Sequence, residues 1–296
     1  MILGLTGATG FLGSHVRRVA AAAGHEIIAF SRSAAASIPG ARDVRAWPGT
    51  DRPNISGCDA VIHLAGESVM GLWTRRKRAA ILDSRVDGTR RLVSALVADA
   101  SRPRILVCAS GIGFYGDCGE TWIDESSPSG GGFLASVTRA WEAEAAAARP
   151  AGLRVVSARI GLVLGPEGGA WPMLRRIFGI GLGGRLGSGS QWMSWIHVED
   201  AARLLVHAAE SGALSGPVNV VSPEPVTNLE FTRTVGAILR RPTLAPVPAW
   251  AMRLVLRDQA SMFLDSQRVR PAAALQSGFV FTHPRLEDAL RALVRA

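Results

Sequence analysis

Two residue types that often serve in catalysis are almost missing from this chain. Its 296 residues include one lysine, Lys77, and one tyrosine, Tyr115, and because lysine and arginine together number 33, nearly every positive side chain is an arginine. The net charge of +9 is compatible with nucleic-acid binding, but the arginines are scattered, and this distribution argues against a nucleic-acid surface. The run from Arg75 to Arg78 is the local exception, and it fits a solvated helix face.

Cysteine and long apolar runs are also scarce. The three cysteines, Cys58, Cys108 and Cys118, are widely spaced and form no CxxC pair, which argues against a zinc or disulfide framework and favours a reducing compartment. No run reaches the ~20 apolar residues that a membrane-spanning helix needs. The first predicted strand begins directly at the N-terminus, which leaves no room for a signal peptide. We therefore expect a cytoplasmic protein that does not bind membranes.

Glycine is plentiful, and three glycines stand in a pattern with a physical meaning. Gly7, Gly10 and Gly13 follow an apolar run at residues 2–5 and open a segment with helical spacing. Strand, tight turn and helix in this order let backbone N–H groups approach a pyrophosphate, which the positive end of the helix then stabilises. The sequence therefore predicts a dinucleotide site at residues 6–13.

The end of the second predicted strand indicates which dinucleotide binds. This strand, Glu26 to Phe30, is followed by Ser31 and Arg32, and no acid occurs until Asp43. An acidic residue there would accept hydrogen bonds from the ribose 2′-hydroxyl, whereas an arginine accommodates a 2′-phosphate. We predict NADP(H), with Arg32 on the 2′-phosphate. The alternative is a solvent-exposed arginine in an arginine-rich chain.

Strands and helices alternate up to about residue 165, which predicts an α/β fold with a Rossmann-type, doubly wound parallel sheet. We expect this NADP-binding domain to span residues 1–165, with 195–221 returning to it. Residues 166–194 and 222–296 would form a small, mostly helical substrate lobe. Within it, Thr227 and Glu230 have the spacing of a capping box at the start of a helix.

Several motifs in fixed order resemble those of the extended short-chain dehydrogenase/reductases. Within that superfamily the chain is similar to the atypical branch labelled NAD-dependent epimerase/dehydratase, or nucleoside-diphosphate-sugar epimerase-like, which has a C-terminal domain of unknown function. Besides the glycine turn, the matching motifs are Ala65-Gly66-Glu67, Asp83-Ser84-Arg85, Ala140-Trp141-Glu142, Gly187-Ser188-Gly189, Trp195 to Asp200, Ser266-Gln267-Arg268 and Ser277-Gly278-Phe279.

The resemblance adds cofactor contacts that spacing alone does not provide. It implies that Arg85, otherwise one more helix-surface arginine, reaches the cofactor. Together with the glycine turn and the second strand, the expected cofactor-binding residues are Gly7, Thr9, Gly10, Phe11, Leu12, Gly13, Ser31, Arg32, Leu64, Ala65, Gly66, Arg85, Gly161 and Leu162.

The catalytic pair of this superfamily is absent. Its members normally use a tyrosine whose pKa is lowered by a lysine four residues later. Here the expected position reads Phe133 to Arg139, with neither residue. One hypothesis is a redox enzyme in which Ser110 or Tyr115 polarises an unidentified small substrate, with His197 as a weaker candidate. The other is an NADP(H)-binding redox sensor without turnover.

Several side chains keep two interpretations from the sequence alone. Tyr115 fits a packed turn residue as well as a catalytic one, and we expect His63, inside a buried strand, to be a core histidine. Trp192 and Trp195 fit either stacking on a substrate ring or core filling. We expect no metal cofactor, and a monomer or homodimer.

Overall fold

The computed structural model describes residues 1–33, 37–48, 51–99 and 103–295. Across these residues, the strands form one large parallel sheet and three small sheets. The strands are β1 Ile2–Thr6, β2 Glu26–Ser31, β3 Asp43–Ala46, β4 Ala60–His63, β5 Ile105–Gly111, β6 Trp122–Ile123, β7 Arg154–Ile160, β8 Leu162–Gly165, β9 Gly168–Gly169, β10 Trp192–Met193, β11 Trp195–His197, β12 Gly216–Val220, β13 Val226–Thr227 and β14 Arg268–Val269.

The strand order of the large sheet places its ligand crevice. The order is β12-β7-β5-β4-β1-β2-β3, and all neighbouring pairs are parallel. Strands β2 and β3 follow on one side of β1, and strands β4, β5, β7 and β12 follow on the other side. In doubly wound folds, the carboxyl ends of the strands at such a reversal form the ligand crevice. The glycine turn lies at this point. The predicted doubly wound parallel sheet is therefore confirmed.

Helices cover both faces of the large sheet because its central strands are apolar on both sides. All four residues of β4, for example, are buried. Helices α1 and α5 pack together, as do α2 and α3. The helices are α1 Phe11–Ala22, α2 Arg75–Ala98, α3 Phe133–Ala146, α4 Trp171–Gly179, α5 Val198–Glu210, α6 Asn228–Leu239, α7 Ala249–Leu256, α8 Ser261–Leu264, α9 Ala272–Gln276 and α10 Leu286–Arg295.

The C-terminal part is largely helical, as expected. Thr227 Oγ1 accepts a hydrogen bond from the Glu230 amide at 3.2 Å, which confirms the predicted N-cap of α6. Helix α10 packs against α6, and Leu290 and Phe231 belong to a separate apolar cluster in this region. No described helix is both long and apolar enough to cross a membrane.

The segment 195–221 rejoins the large sheet only through β12, which pairs with β7. Strand β11 pairs instead with β8, in a small sheet of β11, β8 and β9. The reason lies in the chain path after β7, which turns away at Gly161 and carries β8 out of the large sheet. The domain bounds given above stay a prediction.

Candidate nucleotide-binding and active site

The glycine turn is closed so tightly that side chains do not fit. Gly7 has φ +71°, and a Cβ added at Gly13 would lie 2.1 Å from the Gly7 carbonyl oxygen. Helix α1 begins at Phe11 after Gly10, and no side chain caps this end or places an acid in its first turn. Backbone N–H groups at an uncapped helix start bind phosphate groups. The turn therefore has the geometry of a pyrophosphate site.

Thr6 fixes this turn to the end of β4. Its Oγ1 accepts hydrogen bonds from the amides of Leu64 and Ala65, both at 3.1 Å. A Cβ at Gly7 would lie 3.0 Å from the carbonyl carbon of Leu64. The two strand ends are thus held at backbone contact, and the expected contact residues Leu64 and Ala65 lie beside the turn.

His63 is a core histidine, as expected. Because the Thr6 hydroxyl accepts two amides, its own proton goes to His63 Nδ1, 2.7 Å away, and the His63 ring then carries its proton on Nε2. This Nε2 is buried, with no partner among the described residues, and the ring lies 6.1 Å from that of Trp47. Burial, followed by the charge of Arg85, lowers the pKa of His63 to about 4. The side chain is therefore neutral at pH 7.

Positive charge collects between the ends of β2 and β4. Ser31 ends β2, and Arg32 follows it as an exposed residue. Lys77 donates to Glu67 at 2.6 Å, and this hydrogen bond and the charges of Lys77, Arg85 and Arg32 hold the pKa of the Glu67 carboxyl below its usual range. The field that acts on Glu67 would act in the same sense on a phosphate group.

Arg85 extends from α2 to the carboxyl end of β4 rather than into solvent. Its guanidinium donates to the backbone carbonyls of Glu67 and Ile81, at 2.8 and 3.0 Å, and lies 4.9 Å from the ring centre of Trp141. A Cβ at Gly66 would be 3.4 Å from the Arg85 guanidinium carbon. Arg85 therefore borders the crevice, although the sequence alone suggests a surface residue. Its contact with a cofactor stays a prediction.

The segment after β7 closes over the glycine turn. A Cβ at Gly168 would lie 2.4 Å from the Phe11 ring, and one at Gly161 would lie 2.6 Å from the Ser194 carbonyl oxygen. Leu162 donates to the same carbonyl at 2.9 Å. The Phe11 side chain also borders an open pocket of about 440 Å³, which is lined by Thr9, Gly10, Phe11, Ser14, His15, Arg18 and Glu167.

Beyond β5 the polar side chains bond to one another. Ser110 Oγ donates to Glu142 Oε1 at 2.7 Å. Arg159 donates two hydrogen bonds to the same carboxylate, from Nε and from a terminal nitrogen, both at 2.9 Å. A planar guanidinium on a carboxylate in this bidentate form is strong and directional, so Glu142 is held in place.

Tyr115 belongs to the same network. Its hydroxyl donates to Asn219 Oδ1 at 2.8 Å and accepts from Arg159 at 2.9 Å, and the side chain is 1% exposed. Burial raises the pKa of the phenol. Of the two interpretations that the sequence left open for Tyr115, the structure favours a packed turn residue, because the hydroxyl proton is not directed into the crevice.

The start of α3 carries apolar and aromatic contacts where the superfamily has its catalytic tyrosine. Phe133 makes an edge contact with Trp73 at 5.0 Å, and the Arg78 guanidinium lies 4.3 Å from its ring centre. Thr138 Oγ1 donates back to the carbonyls of Leu134 and Ala135. Positions 133–139 thus supply packing and no acid or base.

Of the two tryptophans, Trp195 fills the core, and Trp192 stacks on an arginine of the chain itself. Trp195 is buried, and its Nε1 donates to the Glu224 carbonyl, so it fills the core. Trp192 is half-buried and stacks on Arg268, whose guanidinium lies 3.9 Å from its ring centre and 4.1 Å from that of Trp122. Sequence reasoning missed this sandwich, and it missed the pair of Glu142 and Arg159, because spacing gives no sign of contacts between distant segments.

Comparisons with known proteins agree with the geometry. A family model described as the NAD dependent epimerase/dehydratase family matches residues 3–221, and a domain of unknown function, DUF1731, matches 247–293. The epimerase family protein YfhF of Bacillus subtilis is 36% identical over 301 residues, which cover 99% of this chain and 98% of that protein.

Solved structures are similar over the whole chain. A crystal structure of the human epimerase family protein SDR39U1, isoform 2, with NADPH has a TM-score of 0.91 and 33% identity, and covers 100% of this chain and 99% of that one. The UDP-glucose 4-epimerase of Thermus thermophilus in complex with NAD, with 19% identity and a TM-score of 0.78 over 100% of this chain and 98% of that one, shares the fold. The resemblance seen in the motifs is thereby confirmed, and the chain belongs to the NAD-dependent epimerase/dehydratase family.

Proposed function

We propose that this protein is an NADP(H)-dependent oxidoreductase that acts on a small, as yet unidentified molecule without a tyrosine–lysine pair. The observation that carries the proposal is the end of β2, where Ser31 and Arg32 occupy the place of an acid. The positive field of Arg32, Lys77 and Arg85 beside it suits a 2′-phosphate. The human relative that was crystallised with NADPH supports the same cofactor.

The glycine turn fits the remainder of the dinucleotide. The tight turn at Gly7, Gly10 and Gly13 would place a pyrophosphate at the uncapped start of α1. The nicotinamide would then lie toward the ends of β4 and β7. When bound, the nicotinamide would supply or accept a hydride. The chain would bind the cofactor through Arg32 and the turn, and orient it against the end of β5.

Ser110 is the residue we assign to the substrate. It lies near the end of β5, and its buried hydroxyl would have to turn from Glu142 toward a substrate oxygen. Glu142 would keep its two hydrogen bonds from Arg159 in that case, so the rotation leaves no unpaired buried carboxylate. Tyr115 is less suited to this role because both its hydrogen bonds are made inside the protein.

A second candidate function rests on that same network. If Ser110 and Tyr115 serve only to hold the chain together, the protein would bind NADP(H) without turnover and act as a redox sensor. The engaged hydroxyls of both residues favour this alternative, whereas the position of Ser110 at the crevice favours the enzyme.

Turnover is tested by incubating the protein with NADPH and a panel of aldehydes, ketones and nucleoside-diphosphate sugars, and following the loss of NADPH absorbance. The enzyme predicts consumption with at least one compound, and a kcat about 100-fold lower in Ser110→Ala, the scale of a lost proton or hydrogen-bond donor in catalysis. Ser94→Ala, whose hydroxyl only donates to the Arg90 carbonyl on α2, is the matched control. Tight NADPH binding without consumption of NADPH on any compound would favour the sensor.

A further inference from the structure

Three potential metal ligands meet at the start of α5, which packs against α1. His197 ends β11, Glu199 lies in the first turn of α5, and His283 comes from the segment that precedes α10. One ligand atom from each lies within 4.8 Å of the other two. The His283 Nε2 and Glu199 Oε2 atoms are 3.6 Å apart, and the two imidazole rings are centred 4.1 Å from each other.

We propose that His197, Glu199 and His283 bind a divalent cation of the zinc type. Two imidazoles and one carboxylate are a donor set that suits zinc, whereas magnesium and calcium prefer oxygen ligands alone. In a tetrahedral site with bonds of ~2.0–2.1 Å, neighbouring ligand atoms lie roughly 3.4 Å apart. The pair of His283 and Glu199 already has nearly this spacing, and the ligand atom of His197, within 4.8 Å of both, would have to move closer by side-chain rotation.

The backbone holds the three ligands on fixed supports. Asp200, which is fully buried, accepts the amides of Thr282 and His283 at 2.8 and 2.7 Å. This clamp attaches the 282–283 segment to the first turn of α5, next to Glu199. A strand end, a helix start and a clamped segment thus supply one ligand each, which limits the entropy lost when a cation binds.

Three features of the free site oppose a cation: a capping bond, the positive end of a helix, and the nearby His15, whose charge when protonated acts on His197. His197 Nδ1 accepts the Glu199 amide at 3.3 Å, and binding would give up this long capping bond. The start of a helix also carries partial positive charge, but the carboxylates of Glu199 and Asp200 in the first turn offset it. The half-exposed Glu199 side chain leaves the site open to solvent.

A cation here would join two separate parts of the chain. His197 and Glu199 lie within the segment matched by the epimerase family model, residues 3–221, and His283 lies in the C-terminal region matched by DUF1731. Because a ligand that binds only the folded state stabilises it, zinc would raise the melting temperature. The inference is independent of NADP(H) binding.

The test is calorimetric titration of the full-length, chelator-treated protein with Zn²⁺, and separately with Mg²⁺. We expect saturable binding of about one Zn²⁺ per chain and no comparable binding of Mg²⁺. Glu199→Gln and His283→Gln should each weaken Zn²⁺ binding at least tenfold, roughly the minimum loss that altered metal surroundings cause. The control is His25→Gln, which breaks a histidine–glutamate pair with Glu210 elsewhere on the surface and should change Zn²⁺ affinity less than about twofold.

Thermal unfolding in the presence of chelator checks that each variant folds, and the exposed Glu199→Gln decides the matter if His283→Gln does not fold. An increase in melting temperature with Zn²⁺ that is lost in Glu199→Gln supports the site. Absence of saturable Zn²⁺ binding to the wild type, or equal Zn²⁺ affinity in Glu199→Gln and the wild type, would overturn it.

Discussion

The two sides of the crevice use their polar atoms in opposite ways. At the glycine turn, α1 starts without a side-chain cap, and Arg32 is exposed. Past β5, the hydroxyls of Ser110 and Tyr115 already have partners inside the protein. One side is therefore built to bind a ligand, while the other is built largely around its own hydrogen bonds. This difference explains why the nucleotide-binding features of the family are recognisable in this chain although the usual acid–base pair is missing.

The largest effect should come from filling the glycine turn. Gly13→Ala places a Cβ 2.1 Å from the Gly7 carbonyl oxygen, so the turn must open. We expect a loss of at least about 3 kcal/mol in the free energy of unfolding, typical of strong steric conflict, and no measurable NADPH binding. Urea unfolding and calorimetry measure the two.

The control for this variant is Gly88→Ala inside α2. A Cβ at Gly88 meets no atom within 4 Å, and alanine favours helix, so this change should stabilise the protein by about 0.5–1 kcal/mol. A Gly13→Ala protein that binds NADPH like the wild type would show that the turn is not the nucleotide site.

Breaking the hydrogen-bond network around Glu142 and Arg159 should lower the free energy of unfolding nearly as much. Glu142→Gln leaves the Arg159 guanidinium, 5% exposed, without its charged partner, and loss of one partner of a buried ion pair costs about 3 kcal/mol of folding stability. Glu144→Gln, two residues along α3, breaks a more exposed pair with Arg90 and should cost at most about 1 kcal/mol. Equal losses of unfolding free energy in the two variants would contradict the view that the network past β5 is structural.

The free energy of unfolding should depend on pH through His63, which bonds to Thr6 beside the glycine turn. Because burial holds its pKa near 4, below the ordinary 6.5, the unfolded chain takes up this proton first as the pH falls. His63 therefore favours the folded state fully above about pH 6.5, and this contribution falls by roughly 2 kcal/mol between pH 7 and pH 5.

The variant His63→Asn keeps an acceptor for the Thr6 hydroxyl and removes the titration. Its unfolding free energy, whatever its value at pH 7, should change less between pH 7 and pH 5 than that of the wild type. The same pH dependence in both proteins would mean that His63 does not titrate as described.

The smallest effect should follow Tyr115→Phe. The change leaves Asn219 Oδ1 and one Arg159 N–H each without a hydrogen bond, which costs about 1–2 kcal/mol of folding stability. NADPH affinity should stay within about threefold of the wild type, since the phenol is 1% exposed. A large loss of NADPH affinity in calorimetry with little change in stability would instead place Tyr115 in the binding site.

Local patterns predicted the nucleotide side, and distant contacts decided the remainder. The glycine spacing, the end of β2 and the Thr227 cap of α6 depend on neighbours in sequence, so the sequence was enough for them. The partner of Arg159 is 17 residues away and that of Tyr115 is 104 residues away. Such pairs form only when distant helices, turns and strands pack together, so spacing could not reveal them.

Two details of the structure depend on close approaches between segments that are distant in sequence. Strand β11 pairs with β8 rather than joining the large sheet, because Gly161 lets the chain cross close to Ser194 at the end of β7. Trp192 stacks on Arg268, and the hydrogen bonds of Trp192 with Ser266 and Gln267 hold the two segments together.

The central claim, that the end of β2 selects NADP(H), is tested most directly by calorimetric titration with NADPH and with NADH. Arg32→Ala is the test variant, and Arg233→Ala, an exposed arginine on α6, is the control. We predict tight NADPH binding, weaker NADH binding, and loss of this preference, a change of about tenfold or more, in Arg32→Ala alone. Equal binding of the two dinucleotides by the wild type, or an unchanged preference in Arg32→Ala, would contradict it.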